Sequence, residues 1–553
     1  MNRRNAIKST ILASSAVIGG FSGVSPVHAG FRDPDGYASI VYPGYNGKLE
    51  YVPDEMGDVV PDYSYSGFKL CAEPIPLVPV KITLRAQSGD NLPNIQGAID
   101  KISTFAPDNA GFRGAVLLKR GYYEVHDEIR LHTSGVVLRG EGQGEDGTVL
   151  FRTGRVGEGD YHKMYFNTHL INISGIDGIE TIESSAEEIT DDYVPVGAMS
   201  FNVKNSGKFT VGDKIDLQRD GNEAWTKELK LDREHTTSPM NPQTFHMDRV
   251  ITDINGNTLT VDAPVMISID KCWGGGRVVK YEDPLRICNI GIENIRCVSD
   301  YDQSVQRNSY GNMDRSPYIA ETYFADENHA WNAVFINCAY NIWVRDITAL
   351  HFASSCVFIS EKAKWVTVQD CTSREQVSVC AGWRRFTYQN SGQLSFFQRC
   401  TCDKGRHSFV LRLASAMGPN VYLDCESTRS FGSSEPHGNG VAGTLYDNVK
   451  APLTVKYSKN SAMGIGGINT TFWNCEGPFL VHHAPTAHNY AFGHIGIHGV
   501  IYNHTLLDLE KENGHIESWN QHLKPRSLFL AQLNDRHGPK AVINITKPWQ
   551  IKE

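Results

Sequence analysis

What most constrains this chain is a two-residue pattern that recurs along its second half. A polar residue is followed by an inward-facing Ile or Cys at Asn294-Ile295, Asp346-Ile347, Asp370-Cys371, Arg399-Cys400, Asp424-Cys425 and Asn474-Cys475. Measured on the second member, the intervals are 52, 24, 29, 25 and 50 residues. The long intervals read as double steps, so the series divides into roughly seven turns of about 26 residues. A second series of short apolar strands runs beside it, at 333–336, 356–359, 377–380 and 408–412. Two strand series per turn, each alternating inside and outside, describe an all-β solenoid: a parallel β-helix in which every turn buries its inner face against its neighbours.

The first half carries the entrance to such a stack. Residues 94–100 read as a short amphipathic helix that caps the open end, followed by strands at 115–118, 121–125, 129–131, 136–139 and 148–151 separated by glycine turns. Between 185 and 280 the coil pattern lapses, and Asn255-Gly256 is a strong hairpin signal, so this stretch reads as an inserted antiparallel β module. Residues 30–80, rich in Pro, Tyr and Gly, read as an extended arm over the surface. The organisation is therefore a leader at 1–29, the arm at 30–80, the first coils at 81–184, the module at 185–280, and the main coils with a C-terminal cap at 281–553.

The leader has Arg3 and Arg4 at its charged start, an apolar run from Ile11 to Phe21, and Val27-His28-Ala29 at the cleavage positions. Arg3-Arg4-Asn5-Ala6-Ile7-Lys8 resembles a twin-arginine signal with Ala6 where Phe is usual, so either export route would make the protein periplasmic or secreted. No later window reaches the apolar length of a membrane helix. With 53 basic against 62 acidic residues and a net charge of −9, the chain has no polybasic footprint for nucleic acid or anionic membrane. The 12 Cys residues include no CxxC pair. Four of them recur at equivalent inward positions, which favours an interior stack over disulfides or a metal centre.

The stretch from Ile95 to Phe151, with Gly-Ala-Val-Leu-Leu at 114–118, Arg120-Gly-Tyr-Tyr and Leu138-Arg-Gly-Glu-Gly-Gln-Gly, resembles the opening of the pectate-lyase-like right-handed β-helix superfamily. The later region, from Asp326-Glu-Asn-His-Ala-Trp-Asn332 through Gly443-Thr-Leu-Tyr-Asp447, resembles a bacterial branch of it. The resemblance spans roughly 80–150 and 285–480 and implies an exported polysaccharide lyase or glycoside hydrolase. In some members calcium neutralises the substrate carboxylate. Asp346, Asp370 and Asp424 align as candidate oxygen ligands, but the same row carries Arg399 and Asn474, so no cofactor is assigned.

One coil step brings equivalent strands about 4.8 Å apart. Polar residues tens of positions apart thereby become neighbours. Elimination from a uronate needs groups that neutralise the carboxylate and a base with a suitable pKa. Arg384, Arg385, Arg406, Gln393 and Asn420 suit the first need and His407 and His437 the second, while Tyr388 or Tyr446 would protonate the leaving oxygen. Asn439, His329 and Trp331 complete the candidate groove, Trp331 as a stacking platform. Hydrolysis would need two carboxyls across the bond, for which Asp326, Glu327, Glu375 and Glu435 are available without a pair at matching positions. The expected substrate is an acidic polysaccharide cleaved by β-elimination; a hydrolase or a non-catalytic carbohydrate-binding solenoid are the alternatives.

Overall fold

A computed structural model of the chain describes residues 36–157, 161–235, 239–308, 322–413, 415–438, 440–457, 465–501, 504–505 and 513–551. Residues 1–29, expected to be an export leader, and Asn439 lie outside the described residues. Strands 24 to 29 residues apart pair side by side and in parallel, which makes an all-β solenoid. One interior row runs Val116, Leu138, Ile292, Val344, Val368, Phe397, Tyr422, Tyr446 and Phe472, each opposite the next. A second sheet contributes the facing row Val334, Val357, Tyr388 and Phe409. The helix Leu92–Ser103 closes the first coils by burying Ile95, Ala98, Ile99 and Ile102 against them.

The recurring polar residue turns out to be the corner between two strands. Asn294, Asp346, Asp370, Arg399, Asp424 and Asn474 all have φ between 50° and 60°. That left-handed conformation costs most L-residues about 1–2 kcal/mol, and Asn and Asp tolerate it best. Asn448, with φ 53°, is the corner hidden inside the 50-residue interval. The 52-residue interval is different: Ile295 lies directly opposite Ile347, so one coil simply carries a long excursion. The stack from 295 to 475 therefore has six steps instead of seven. The second strand series also needs one correction, because Phe386–Asn390, and not 377–380, takes the place beside Ser355–Ile359.

Cys371, Cys400, Cys425 and Cys475 are free, buried thiols whose sulfurs face carbonyl oxygens of the preceding coil at 3.9, 3.6, 3.9 and 3.2 Å. Among the described residues no helix is long and apolar enough to cross a membrane.

Outer faces of the stack are covered in different ways. Phe68, Val78 and Phe112 seal Trp343 and Val137, and the C-terminal helix Leu528–His537 packs Leu528, Phe529 and Leu533 on Phe396, Leu445 and Trp473. A six-stranded antiparallel sheet, built from strands between Glu180 and Glu282, lays Phe245, Met266 and Val265 against Met417, Ala442 and Ile468. Its docking is also polar. Asp248 accepts from Lys364 Nζ at 2.5 Å, Arg286 Nη1 at 2.8 Å and Tyr281 Oη at 2.6 Å. The fully buried Arg249 donates to the carbonyls of Ala263, Pro264 and Gly418.

Two substitutions test these supports. Asn474 accepts from the Leu523 amide at 2.7 Å and donates to the Leu523 carbonyl at 2.7 Å while holding its left-handed corner. Asn474→Ala should lower unfolding free energy by about 2–4 kcal/mol, and Asn474→Gly should recover about 1 kcal/mol of that, by denaturant titration. Asp248→Ala strands the buried Lys364 ammonium and leaves Arg286 only its 3.5 Å pair with Asp283, and should cost about 3–5 kcal/mol.

Candidate active site

The second sheet presents one outward row of Phe335, Phe358, Gln389, Val410 and Glu435, with Arg412 opposite His437 in the next row. Over the first part of this face lie the helix Tyr161–Asn167 and the segment before Phe386. The Tyr165 hydroxyl donates to Gln389 Oε1, and Trp383 packs 5.4 Å from the Tyr165 ring. Beyond that cover, four polar side chains surround Phe386. His407 and His437 sit 5.0 and 5.4 Å from its ring centre, and the Arg406 and Arg412 guanidiniums 5.6 and 5.8 Å.

Glu435 organises this group. Its Oε1 accepts from His437 Nδ1 at 2.6 Å; its Oε2 accepts from Ser433 Oγ at 2.8 Å, Thr454 Oγ1 at 2.6 Å and Lys456 Nζ at 3.4 Å. Burial alone would raise its pKa, but the Lys456 charge and the His437 hydrogen bond oppose burial, and the carboxylate is held well below the usual range. An ionised Glu435 requires a proton on His437 Nδ1, and in the neutral imidazole that tautomer leaves the Nε2 lone pair free. His437 is also the exposed member of the pair, at 16% of its side chain against 4% for Glu435. His407 donates from Nδ1 to the Ser433 carbonyl at 2.5 Å, and its Nε2 is buried without a partner. Burial, then the Arg406 charge, push its pKa well below 6.5.

Arg412 lies 4.1 Å over the Trp383 ring, and among the described residues no carboxylate pairs with it. Sequence reasoning missed it. The available signal was the strand 408–412 itself: with Phe409 and Leu411 in the core, alternation turns Arg412 outward.

Several sequence candidates are tied up elsewhere. Arg384 grips Glu327 with two 2.8 Å bonds. Arg385 is buried and donates to the Ser378 and Lys404 carbonyls. Arg406 remains at the cluster, buried, with one nitrogen on the Gly382 carbonyl. Gln393 fastens the antiparallel module by bonding the Asp248 amide and the His246 carbonyl, both at 3.0 Å. Asn420 is interior and accepts from Asn390 and the Ser395 amide. Trp331 is fully buried and so offers no platform; its indole donates to the Glu327 carbonyl. His329 is buried between Ser299 and the Val377 carbonyl. Tyr388 and Tyr446 stand inside the solenoid with their hydroxyls on the Thr401 and Phe409 carbonyls, out of reach of any leaving group.

Two of the corner carboxylates and the Phe386 cluster are poorly suited to a cation. Asp370 pairs with Arg399 and Lys547, and Asp424 with Arg526, so two of the three aligned corner carboxylates already hold cations. Donor atoms of His407, Glu435 and His437 lie within 4.8 Å of one another, yet Arg406 and Lys456 crowd the same group and oppose another cation. Further along the chain, His494 stacks on Phe479 at 3.9 Å, and His488 bonds Asp54 at 3.0 Å, with Asp58 near enough for the three donor atoms to lie within 4.8 Å of one another.

Four histidines are therefore buried in neutral form: His169 with pKa lowered to about 3, His494 to about 4, and His329 and His407 lowered as well, burial leading in each case. Below pH 6.5 the unfolded chain takes up protons that the fold excludes. Stability should then fall with acidification, each histidine adding up to about 1.4 kcal/mol per pH unit down to its folded pKa. Unfolding titrations between pH 7 and 4.5 should show this, with a shallower slope for His169→Gln.

No family model matches the sequence, and no curated protein matches it. Among solved structures, the Geobacillus virus E2 ORF18 protein aligns over 79% of this chain at 12% identity and a TM-score of 0.36. This chain covers 59% of that one's length. The tailspike gp49 of Pseudomonas phage LKA1 aligns over 74% of this chain and 69% of its own at 10% identity and a TM-score of 0.31. A DFA-IIIase from Arthrobacter chlorophenolicus A6, without its lid, aligns over 77% and 75% at 10% identity and a TM-score of 0.34.

Proposed function

We propose that this protein is an exported polysaccharide lyase that cleaves a uronate-containing glycan by β-elimination on the outer face of a right-handed β-helix. The observation that carries the reading is the Glu435–His437 pair, 2.6 Å apart, standing beside two cations, Arg406 and Arg412, around one aromatic ring. His437 Nε2 takes the C5 proton. Arg412 and Arg406 offset the charge that builds on the adjacent carboxylate. The electron pair forms the C4–C5 double bond as the C4–oxygen bond breaks, and the His437 imidazolium returns its proton to the leaving oxygen. Glu435 holds the imidazole in the required tautomer and stabilises its charged form.

Hydrolysis is less well supported because it needs a carboxylic acid protonated at working pH. Glu435, at this cluster, is held ionised. Calcium has no step in this scheme.

Incubation with a panel of uronate polymers should produce unsaturated, ultraviolet-absorbing ends. His437→Ala should lower kcat by about 10²–10⁴-fold. Arg412→Met should reduce kcat/KM while leaving the melting temperature within a few degrees. Reducing ends without the absorbance would make the protein a hydrolase, and tight binding without turnover would make it a binding solenoid.

A further inference from the structure

A cavity of about 1340 Å³ opens between the later coils and the C-terminal segment, and none of its lining residues belongs to the Glu435–His437 cluster. That exceeds the roughly 300–1,000 Å³ of sites that enclose a drug-sized ligand, so several sugar units fit. One wall is the row Glu426, Lys450 and Glu476, bridged from coil to coil. The other is the segment 522–527 with Trp549.

These walls are rigidly held. Asn474 and Asn448 bond the backbone of Leu523 and Arg526, the Trp473 indole donates to the Pro525 carbonyl at 2.9 Å, and Gln550 donates to Asp424 at 2.7 Å. Against that frame, Glu426, His522, Lys524 and Asn534 line the space, and among the described residues none of their side chains makes a hydrogen bond or ion pair. Trp549 is 48% exposed, with the Arg526 guanidinium 5.5 Å from its ring centre.

Charge narrows the ligand. Lys450 pairs with Glu476 at 3.1 Å and Arg526 with Asp424, which leaves Lys524 and Glu426 as opposite, mutually cancelling charges. A nearly neutral lining gives a polyanion no attraction. An apolar indole face ringed by donors and acceptors instead suits a pyranose, whose C–H face packs on the ring while its hydroxyls bond the rim.

We infer that this cavity is a second glycan-binding site, separate from the catalytic cluster, that takes an uncharged oligosaccharide on Trp549. Calorimetric titration of the full chain with neutral hexasaccharides of glucose, mannose, galactose and xylose, and with galacturonate hexasaccharide, tests it. At least one neutral hexasaccharide should bind wild type and His437→Ala equally, and bind Trp549→Ala and Asn534→Ala at least tenfold more weakly. Because Trp549 and Asn534 are both exposed, these variants should fold normally, which melting curves check. The inference is overturned if no neutral hexasaccharide binds, if Trp549→Ala binds it unchanged, or if the affinity lost in Trp549→Ala is for galacturonate. A failure of the lyase reading would appear separately, as absent turnover.

Discussion

Parallel pairing of strands some 25 residues apart supports everything else in this protein, and that pairing depends on a corner that only certain residues make cheaply. A strand that ran straight on would carry its inward side chains past the neighbouring coil. One residue in the left-handed region bends it, and Asn or Asp does so at the least cost. Arg399 is the exception in the row, and it has compensation: its guanidinium holds Asp370, the corner of the preceding coil, through two 2.8 Å bonds. These two corners are thus tied to each other along the axis.

Stacking converts sequence distance into proximity, and the faces left open decide where chemistry can occur. His407 and Glu435 are 28 positions apart, yet lie on neighbouring strands with 3.7 Å between Nδ1 and Oε1. The arm, the terminal helices and the antiparallel module cover much of the exterior. The module's attachment is partly ionic and buried, so Asp248, Arg286 and Lys364 fix its position on the stack. Tyr165 and Trp383 cover the second sheet only as far as Phe386, and the polar cluster begins where that cover ends.

Much of the scaffold was legible from the coil spacing, because a repeat that must stack leaves few alternatives. The excursion after Ser299 was not, since a 52-residue interval looks the same whether it holds two coils or one coil and a loop. At the site, His407 and His437 could be found as imidazoles on successive strands. The arginines could not be ranked, because rank depends on what each one meets. Arg384 meets Glu327, Arg385 meets two carbonyls, and Arg412 meets aromatic side chains, with Trp383 the nearest ring and the Tyr165 hydroxyl beside it. Tyr388 and Tyr446 look like proton donors in sequence and are interior rungs in space. Their hydroxyls end on backbone carbonyls that a phenylalanine would leave less well satisfied.

The net charge of −9 describes neither proposed site. Around Phe386 one carboxylate faces Arg406, Arg412 and Lys456, so the cluster carries an excess of positive charge. A substrate carboxylate entering there brings the local charge closer to balance, which favours an acidic sugar over a neutral one. At Trp549 the cations already have partners or are cancelled, so the same argument selects an uncharged sugar. A glycan carrying both kinds of residue would engage the two sites through different physics. Raising the ionic strength would weaken its hold at Arg412 and leave its stacking on Trp549 nearly unchanged.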